Sequence, residues 1–362
     1  MRRRDLNFLP LALAALELTS PVSAWAQGKR SPNRSRAEAA PIYYAGRADA
    51  MDLADQIAIR NRLDRMWVRD MIGQARFLTN VPRLMLPRGG GGGGRRRNWQ
   101  AYRQRFVEPI RINAGAEFWR THAATLSRAE RDFGVPPEIV VGIIGVETIY
   151  GRIMGNFRVI DALATLSFDF PLEHPRADQR IAYFRGELES FLTAASRQGD
   201  SPLDPLGSYA GAMGMPQFMP SSIDKYAVDY DGNGHIDLAG SPVDAIGSVA
   251  NYFKGYGWQA GQPSFFPASV DETNPLMPTL LAPDIVPSFS ADSISAAGVE
   301  LPPVAKRYGG LLALIELQNG SAPTTFVAGT QNFYVITRYN WSSFYAMSVL
   351  DLGQEVKAAL SL

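Results

Sequence analysis

The pattern of apolar and polar residues predicts a mainly helical chain. Residues 48–80 and 99–130 carry apolar side chains at helical spacing among charged ones. A further helix begins near Pro137, and apolar residues from Ile139 to Tyr150 point in every direction, which is typical of a buried helix. Helical patterns return in residues 156–171, 180–199 and 342–360.

Two segments depart from this helical pattern. Residues 87–97 read PRGGGGGGRRR and predict a flexible basic loop, interpreted as an inert insertion, with contact to an anionic polymer as the alternative. In residues 260–330 Pro, Ser and Thr become frequent and short β-prone runs occur, which indicates a small inserted β subdomain. The stretch NFYVITRYN, residues 332–340, also begins with a β-like pattern.

The composition is that of an ordinary globular protein. With 362 residues, 46% hydrophobic and 20% charged, the chain is long enough for two or more packed domains. A net charge of +1 argues against nucleic acid as a partner of the whole protein. Residues 1–100 carry a net charge of +10 and the remainder −9, so the first part either meets an anionic surface or is a solvated Arg-rich face.

Several chemistries are excluded by residue types that are missing or scattered. The chain has no cysteine, which rules out thiol catalysis, disulfides and zinc–thiolate sites. It has no P-loop and no dinucleotide fingerprint, and its three histidines are too far apart in sequence to suggest a zinc site. We therefore expect no cofactor for catalysis.

The N-terminus has the features of an export signal. Arg2, Arg3 and Arg4 precede the short apolar run LNFLPLALAAL, and Ala24-Trp25-Ala26 has the form of a cleavage site. We expect a signal peptide over residues 1–26 and a flexible lead-in over residues 27–47, with Sec and twin-arginine export both open. The mature protein is expected in the periplasm, without a transmembrane segment and, lacking cysteine, not as a lipoprotein.

Glu147 is the first candidate for chemistry. It lies within the apolar run GIIGVETIYGR, residues 142–152, where desolvation should raise its pKa. A carboxyl group that stays protonated near neutral pH can act as a general acid. The alternative is a structural ion pair between Glu147 and Arg152 or Arg158.

A glycine-rich stretch supplies a candidate binding groove. In GSYAGAMGMPQFMPSS, residues 207–222, glycines let the backbone approach a ligand closely. Ser208 and Gln217 can hydrogen-bond neutral polar groups, while Tyr209 and Met213 offer apolar faces. This lining suits a sugar, and a glycine-rich packing corner is the alternative.

A third stretch, DYDGNGHIDL, predicts a structural Ca²⁺ site over residues 229–244. Its spacing resembles the first half of an EF-hand loop, but Gly240 stands where that loop has glutamate. Asp237 could assist through water, and a plain Asp/Asn/Gly turn is the alternative. The expected ligands are Asp229, Asp231, Asn233, His235 through its backbone carbonyl, and Asp244.

These motifs, in this order, resemble the membrane-bound lytic murein transglycosylase B family. The resemblance is carried by GVETIYGR, AGAMGMPQFMPSS, the Asp/Asn loop followed by DAIGSVANYFKGYGW, and NFYVITRYN, over roughly residues 130–350. It implies a mainly α (α+β) fold with a goose-type lysozyme-like helical core and an added N-terminal helical domain. The implied units are a helical domain over 48–130, a catalytic core over 131–262, a β subdomain over 263–330, and a return to the core over 331–362.

The resemblance also implies an activity. The family cleaves the MurNAc–GlcNAc β-1,4 bond of peptidoglycan without water, because the muramoyl 6-hydroxyl attacks its own C1 and leaves a 1,6-anhydro end. Glu147 matches the single acid/base, and the five calcium ligands match the family's loop. The groove residues implied are Ser208, Gln217, Tyr252, Tyr339, Asn340 and Tyr345. A monomer acting on glycan strands is expected, and cell-wall synthesis proteins are left open as partners.

Two other functions are compatible with the residues. A hydrolytic muramidase would need a second carboxylate, for which Asp161, Asp169 and Glu173 are candidates. A non-catalytic protein that binds the cell wall would need no acid at position 147.

Overall fold

The computed structural model describes residues 40–86 and 97–361. The predicted signal peptide, most of the lead-in and nearly all of the Gly/Arg loop lie outside the described residues. None of the described helices is long and apolar enough to cross a membrane.

The first part of the described chain is helical. A 3₁₀ turn, Tyr44–Gly46, is followed by α1 (Ala48–Asn61), α2 (Arg65–Gly73), α3 (Val81–Met85), α4 (Trp99–Arg103) and α5 (Pro109–Phe133). Polar side chains fix where these helices begin: Asn98 accepts a hydrogen bond from the first turn of α4, and Glu108 accepts two from the first turn of α5. Helix α5 ends at Gly134, which adopts the left-handed conformation.

The middle of the chain adds five helices and a small ribbon. The elements are α6 (Pro137–Thr148), β1 (Phe157–Arg158), α7 (Val159–Phe168), α8 (Ala177–Gln198), β2 (Leu206–Gly207), α9 (Pro220–Tyr226) and α10 (Pro242–Gly255). Strands β1 and β2 pair antiparallel. Helix α6 is buried on nearly all sides, as its apolar sequence predicts.

A three-stranded antiparallel sheet follows, with strand order β3-β5-β4. Its elements are β3 (Phe265–Ala268), α11 (Met277–Leu281), α12 (Ala291–Ala296), α13 (Pro303–Lys306), β4 (Ala313–Asn319) and β5 (Ala322–Gly329). Two helices, α14 (Gln331–Ile336) and α15 (Ser343–Ala359), end the described chain. Mostly helical with small sheets, the structure confirms the predicted fold class.

The β-like start predicted for NFYVITRYN is wrong, because its first five residues, 332–336, lie in α14. Thr330 accepts a hydrogen bond from the backbone N–H of Asn332 and so starts a helix. Phe333, Val335 and Ile336 are then buried on more than one side of that helix. Tertiary burial therefore overrides the β propensity of the local sequence.

The described residues pack into three apolar cores. Helices α4, α5, α6, α10 and α15 contribute to the first, α1, α2, α7 and α8 to the second, and the sheet with α11 and α12 to the third. Helices on both sides of residue 130 share cores, so the division predicted there is not a division between cores.

Two glycines let α6 and α15 approach closely at the centre of the first core. A Cβ added to Gly142 would lie 2.3 Å from the carbonyl oxygen of Val349, and one added to Gly353 would lie 2.1 Å from that of Glu138. A side chain at either position would push the helices apart. This contact places the start of α15 beside the end of α6.

Candidate active site

Glu147 lies in the last turn of α6, where the chain leaves the helix abruptly. Ile149 and Tyr150 follow with φ angles of 51° and 56°, in the left-handed region that a β-branched or bulky residue rarely adopts. Such strain often marks a functional site, because the surrounding structure must hold it in place. The sharp exit leaves the Glu147 side chain partly exposed although both neighbours in the helix are buried.

The surroundings of Glu147 favour its protonated form. Burial raises the pKa of this carboxyl group to about 7, and a hydrogen bond from Tyr345 opposes that rise. The phenol oxygen of Tyr345 donates to Oε1 of Glu147 at 2.5 Å. The ion-pair alternative is not what the structure shows, because Arg152 pairs with Glu117 and Arg158 pairs with Asp161.

Thr148 joins α6 to the glycine-rich stretch. Its hydroxyl donates to the carbonyl of Met215 at 2.8 Å and accepts from the backbone N–H of Gly151 at 3.0 Å. The side chain of Gln217 donates to the carbonyls of Met154 and Gly214, at 3.1 and 2.9 Å. These bonds hold Met215 and Gln217 against Thr148 and Met154, which follow Glu147 in the chain, and the sequence analysis missed this connection.

Ser208 shapes the glycine-rich stretch from within. It is 5% exposed, and its hydroxyl oxygen accepts hydrogen bonds from the backbone N–H groups of Ala210 and Ala212. Tyr209 and Met213, predicted to offer apolar faces to a ligand, pack instead in or against the second core. Part of the stretch is thus a packing corner, and the part that contacts the end of α6 and the turn after it is residues 215–217.

The predicted tyrosines form one continuous row. Tyr345 and Tyr339 have nearly parallel rings 6.5 Å apart, and Tyr339 lies 4.8 Å from Tyr252. The hydroxyl of Tyr252 donates to the carbonyl of Arg338, and that of Tyr339 to Pro216. Tyr252 and Tyr345 are 6% and 2% exposed, so they hold neighbouring groups in place rather than offer open faces to a sugar.

Asn340 is also buried, directly after Tyr339 in the chain. Tyr102 on α4 is a further neighbour of Glu147 that the sequence analysis missed. Its pKa is raised to about 12, first by burial and then by the negative charge of Glu147. Its ring packs 5.5 Å from Phe344, next to Tyr345. Tyr102 lies far from the other motifs along the chain, and its only sequence signal is an aromatic residue just after the Gly/Arg loop.

The Asp/Asn loop gathers three of its predicted ligands. Carboxylate oxygens of Asp229, Asp231 and Asp244 lie within 4.8 Å of one another. The carbonyl of Leu238, in the same loop, accepts the backbone N–H of Met215 at 2.8 Å. The loop is therefore tied to the segment that contacts Thr148.

The remaining predicted ligands serve the loop's own turns in this structure. The side-chain oxygen of Asn233 accepts the backbone N–H of His235, and Asp237 accepts those of Ala239 and Gly240. Oxygen donors of this kind suit Ca²⁺. No ion is needed to explain these internal bonds, so the cation is considered below as a proposal.

Two candidates for a second catalytic carboxylate are engaged elsewhere. Asp161 pairs with Arg158 at 2.6 Å and accepts the backbone N–H of Arg76. Asp169 pairs with Arg47 at 2.6 Å and accepts the hydroxyl of Tyr44. The bond of Asp161 to Arg76 and the bonds of Asp169 to Arg47 and Tyr44 fasten the first helices to α7, which is a structural role.

A mainly helical fold with a partly exposed acid of raised pKa beside a row of tyrosines matches what is expected of a lysozyme-like enzyme that cleaves glycans. The family model described as transglycosylase SLT domain matches residues 46–354, and the chain belongs to that family. The resemblance drawn from the motifs is thereby confirmed.

The chain is similar to known lytic transglycosylases both in sequence and in structure. The chain is 41% identical over 322 residues to membrane-bound lytic murein transglycosylase B of Escherichia coli K12, covering 87% of this chain and 84% of the relative. The solved structure of the E. coli lytic transglycosylase SLT35 in complex with calcium is 41% identical in sequence and has a TM-score of 0.74. The match covers 88% of this chain and 96% of the SLT35 chain. The structure of SltB3 of Pseudomonas aeruginosa in complex with NAG-anhNAM-pentapeptide is 28% identical and has a TM-score of 0.69, and the match covers 85% of this chain and 79% of the SltB3 chain.

Proposed function

We propose that this protein is a peptidoglycan lytic transglycosylase in which Glu147 is the single acid/base. The observation that carries the proposal is the carboxyl group of Glu147, with a pKa near 7 and a short bond to Tyr345. Membership of the transglycosylase SLT family and the similarity to murein transglycosylase B support the reaction class. The bond cleaved is the MurNAc–GlcNAc β-1,4 linkage, and the product carries a 1,6-anhydromuramoyl end.

One carboxyl group is enough for both proton transfers of this reaction. Glu147 donates its proton to the glycosidic oxygen as the bond from that oxygen to C1 breaks. The resulting carboxylate then takes the proton of the muramoyl 6-hydroxyl, whose oxygen forms the new bond to C1. Because the sugar supplies the nucleophile, the second carboxylate that hydrolytic glycosidases use is unnecessary. A pKa near 7 lets one group serve in both steps at neutral pH.

The neighbours of Glu147 assist by position. The buried ring of Tyr345 and the partly buried ring of Tyr339 keep water away from one side of the acid and so limit hydrolysis. The substrate's own N-acetyl oxygen can stabilise positive charge at C1, and Ser208 fixes the turn that borders the groove. Gln217 borders the proposed groove, and the buried residues Tyr252 and Asn340 support it from behind.

A structural Ca²⁺ at the Asp/Asn loop is part of the proposal. Asp229, Asp231 and Asp244 would hold it with carboxylate oxygens, assisted by Asn233 and the carbonyl of His235. The ion would neutralise the mutual repulsion of three carboxylates and keep the loop against Met215. A relative was solved in complex with calcium, which supports this assignment.

The substrate class follows from the same relatives. SltB3 was solved with a disaccharide that carries a pentapeptide, so we propose glycan strands bearing stem peptides as the substrate. Such strands are a cell-wall polymer, and we propose that the protein acts on them in the periplasm as a monomer. Interaction with cell-wall synthesis proteins stays a prediction.

Digestion of purified peptidoglycan by Glu147→Gln tests the role of the acid. We expect the variant to release no muropeptides while its melting temperature stays at or above that of the wild type. Glu117→Gln is the matched control, because Glu117 is an exposed glutamate that pairs with Arg152. Release of muropeptides by Glu147→Gln at the wild-type rate would remove Glu147 from the mechanism and favour a different acid.

A further inference from the structure

Arg338 lies in an unusual aromatic setting at the protein surface. Its guanidinium carbon lies 5.9 Å from the ring centre of Tyr256, 5.4 Å from Tyr334 and 5.0 Å from Trp341. We call these four partly exposed residues the Arg338 cluster. Three rings around one guanidinium hold it in place through cation–π contacts without neutralising its charge.

The charge of Arg338 is not matched by an ion pair within the described part of the chain. Its side chain donates to the hydroxyl of Tyr334 at 3.3 Å, a neutral partner. The acid beside the cluster, Asp284, accepts a hydrogen bond from the indole N–H of Trp341 at 3.3 Å. Other arginines such as Arg103 and Arg158 have carboxylate partners. The cluster therefore presents a positioned positive charge that has no ion-pair partner among the described residues.

The cluster is continuous with the candidate active site. Arg338 directly precedes Tyr339, and its carbonyl accepts the hydroxyl of Tyr252 at 2.7 Å. Tyr252 in turn lies 4.6 Å from the ring of Tyr256, which belongs to the cluster. A row of aromatic rings thus leads from Tyr345, bonded to Glu147, to Arg338.

We propose that the Arg338 cluster binds a carboxylate of the stem peptide on the glycan strand. A guanidinium offers two parallel N–H donors that match a carboxylate, and the flat rings around it restrict where that carboxylate can lie. A neutral glycan alone would leave the charge uncompensated, whereas a stem peptide carries carboxylates close to the muramic acid. The inference rests on the proposed function and adds to it the residue that would recognise the stem peptide of the substrate.

The test compares two substrates: glycan strands with stem peptides and the same strands stripped of peptides by an amidase. For Arg338→Gln, we expect kcat/KM on peptide-bearing strands to fall about three- to tenfold more than on stripped strands, mainly through KM. Arg338→Lys keeps the charge but not the paired donors, and should restore part of the difference. The difference should shrink at high salt, because exposed charges are screened.

Arg185→Gln is the matched control, because Arg185 also lies over an aromatic ring, Phe168, but packs beside the second core. Equal losses on both substrates, or no loss on either, would overturn the inference. Melting temperatures show whether a variant is folded, and comparing two substrates with one variant cancels a general loss of active protein. Formation of anhydro ends by the wild type on either substrate tests the proposed function separately.

Discussion

Replacing Glu147 with glutamine tests whether the fold raises the pKa of this carboxyl group. Glutamine has nearly the same shape and cannot ionise. The wild-type group titrates near pH 7 in the folded protein and near its ordinary value of 4.5 in the unfolded chain. Between these two values the unfolded chain loses its proton first, so the stability of the wild type falls as the pH rises.

The size of the effect follows from the two pKa values. One pKa unit corresponds to about 1.4 kcal/mol, so the shift of Glu147 costs the wild type at most about 3 kcal/mol above pH 7. The partial exposure of the side chain makes this an upper bound. Below pH 4.5 the group is protonated in both states and the cost vanishes.

Urea unfolding at pH 4, 6 and 8 measures this cost. We expect the free energy of unfolding of Glu147→Gln to match that of the wild type at pH 4 and to exceed it by about 1 to 3 kcal/mol at pH 8. Glu117→Gln, at an exposed position on α5, should show no such growth with pH. A constant difference between Glu147→Gln and wild type from pH 4 to pH 8 would refute the claim that the fold raises this pKa.

Three further predictions follow from the contacts of the site. Tyr345→Phe removes the hydrogen bond that lowers the pKa of Glu147, so the alkaline limb of the kcat–pH profile should move to higher pH; an unchanged limb would contradict the assigned role of this bond. Gly353→Ala places a Cβ 2.1 Å from a backbone oxygen of α6 and should lower the free energy of unfolding in urea by about 1 to 3 kcal/mol. The control Gly186→Ala lies in open space on α8 and should not lower it. Similar losses for both variants would contradict the close α6–α15 contact. Added Ca²⁺ should raise the melting temperature of the wild type but not that of Asp244→Asn, and a wild type indifferent to both Ca²⁺ and chelator would remove the cation site.

The sequence was sufficient to single out Glu147 as a candidate and to predict the buried helix that carries it. A carboxylate among apolar neighbours on a helix apolar all round predicts a buried helix and a raised pKa, and the structure shows a buried α6 and a raised pKa for Glu147, whose side chain is only partly exposed. The pattern of Asp, Asn and Gly likewise predicted that Asp229, Asp231 and Asp244 would come together. Each of these features lies within a short stretch of sequence, so the residue types in that stretch are enough to indicate it.

Features created by distant contacts could not be read from the sequence. Tyr102 reaches the neighbourhood of Glu147 only because α4 packs against the start of α15, and no local pattern indicates that contact. The helix at residues 331–336 depends on burial that outweighs β propensity. The two strained residues after Glu147, Ile149 and Tyr150, have ordinary side chains that give no sign of a left-handed backbone.

Digestion of peptidoglycan in ¹⁸O-labelled water tests the central claim most directly. If Glu147 acts as the single acid/base and the sugar supplies the nucleophile, mass spectrometry of the muropeptides will show anhydro ends, lighter by one water than reducing ends and free of ¹⁸O. Reducing ends that carry ¹⁸O would show that water attacks C1, and would contradict the proposed mechanism in favour of hydrolysis.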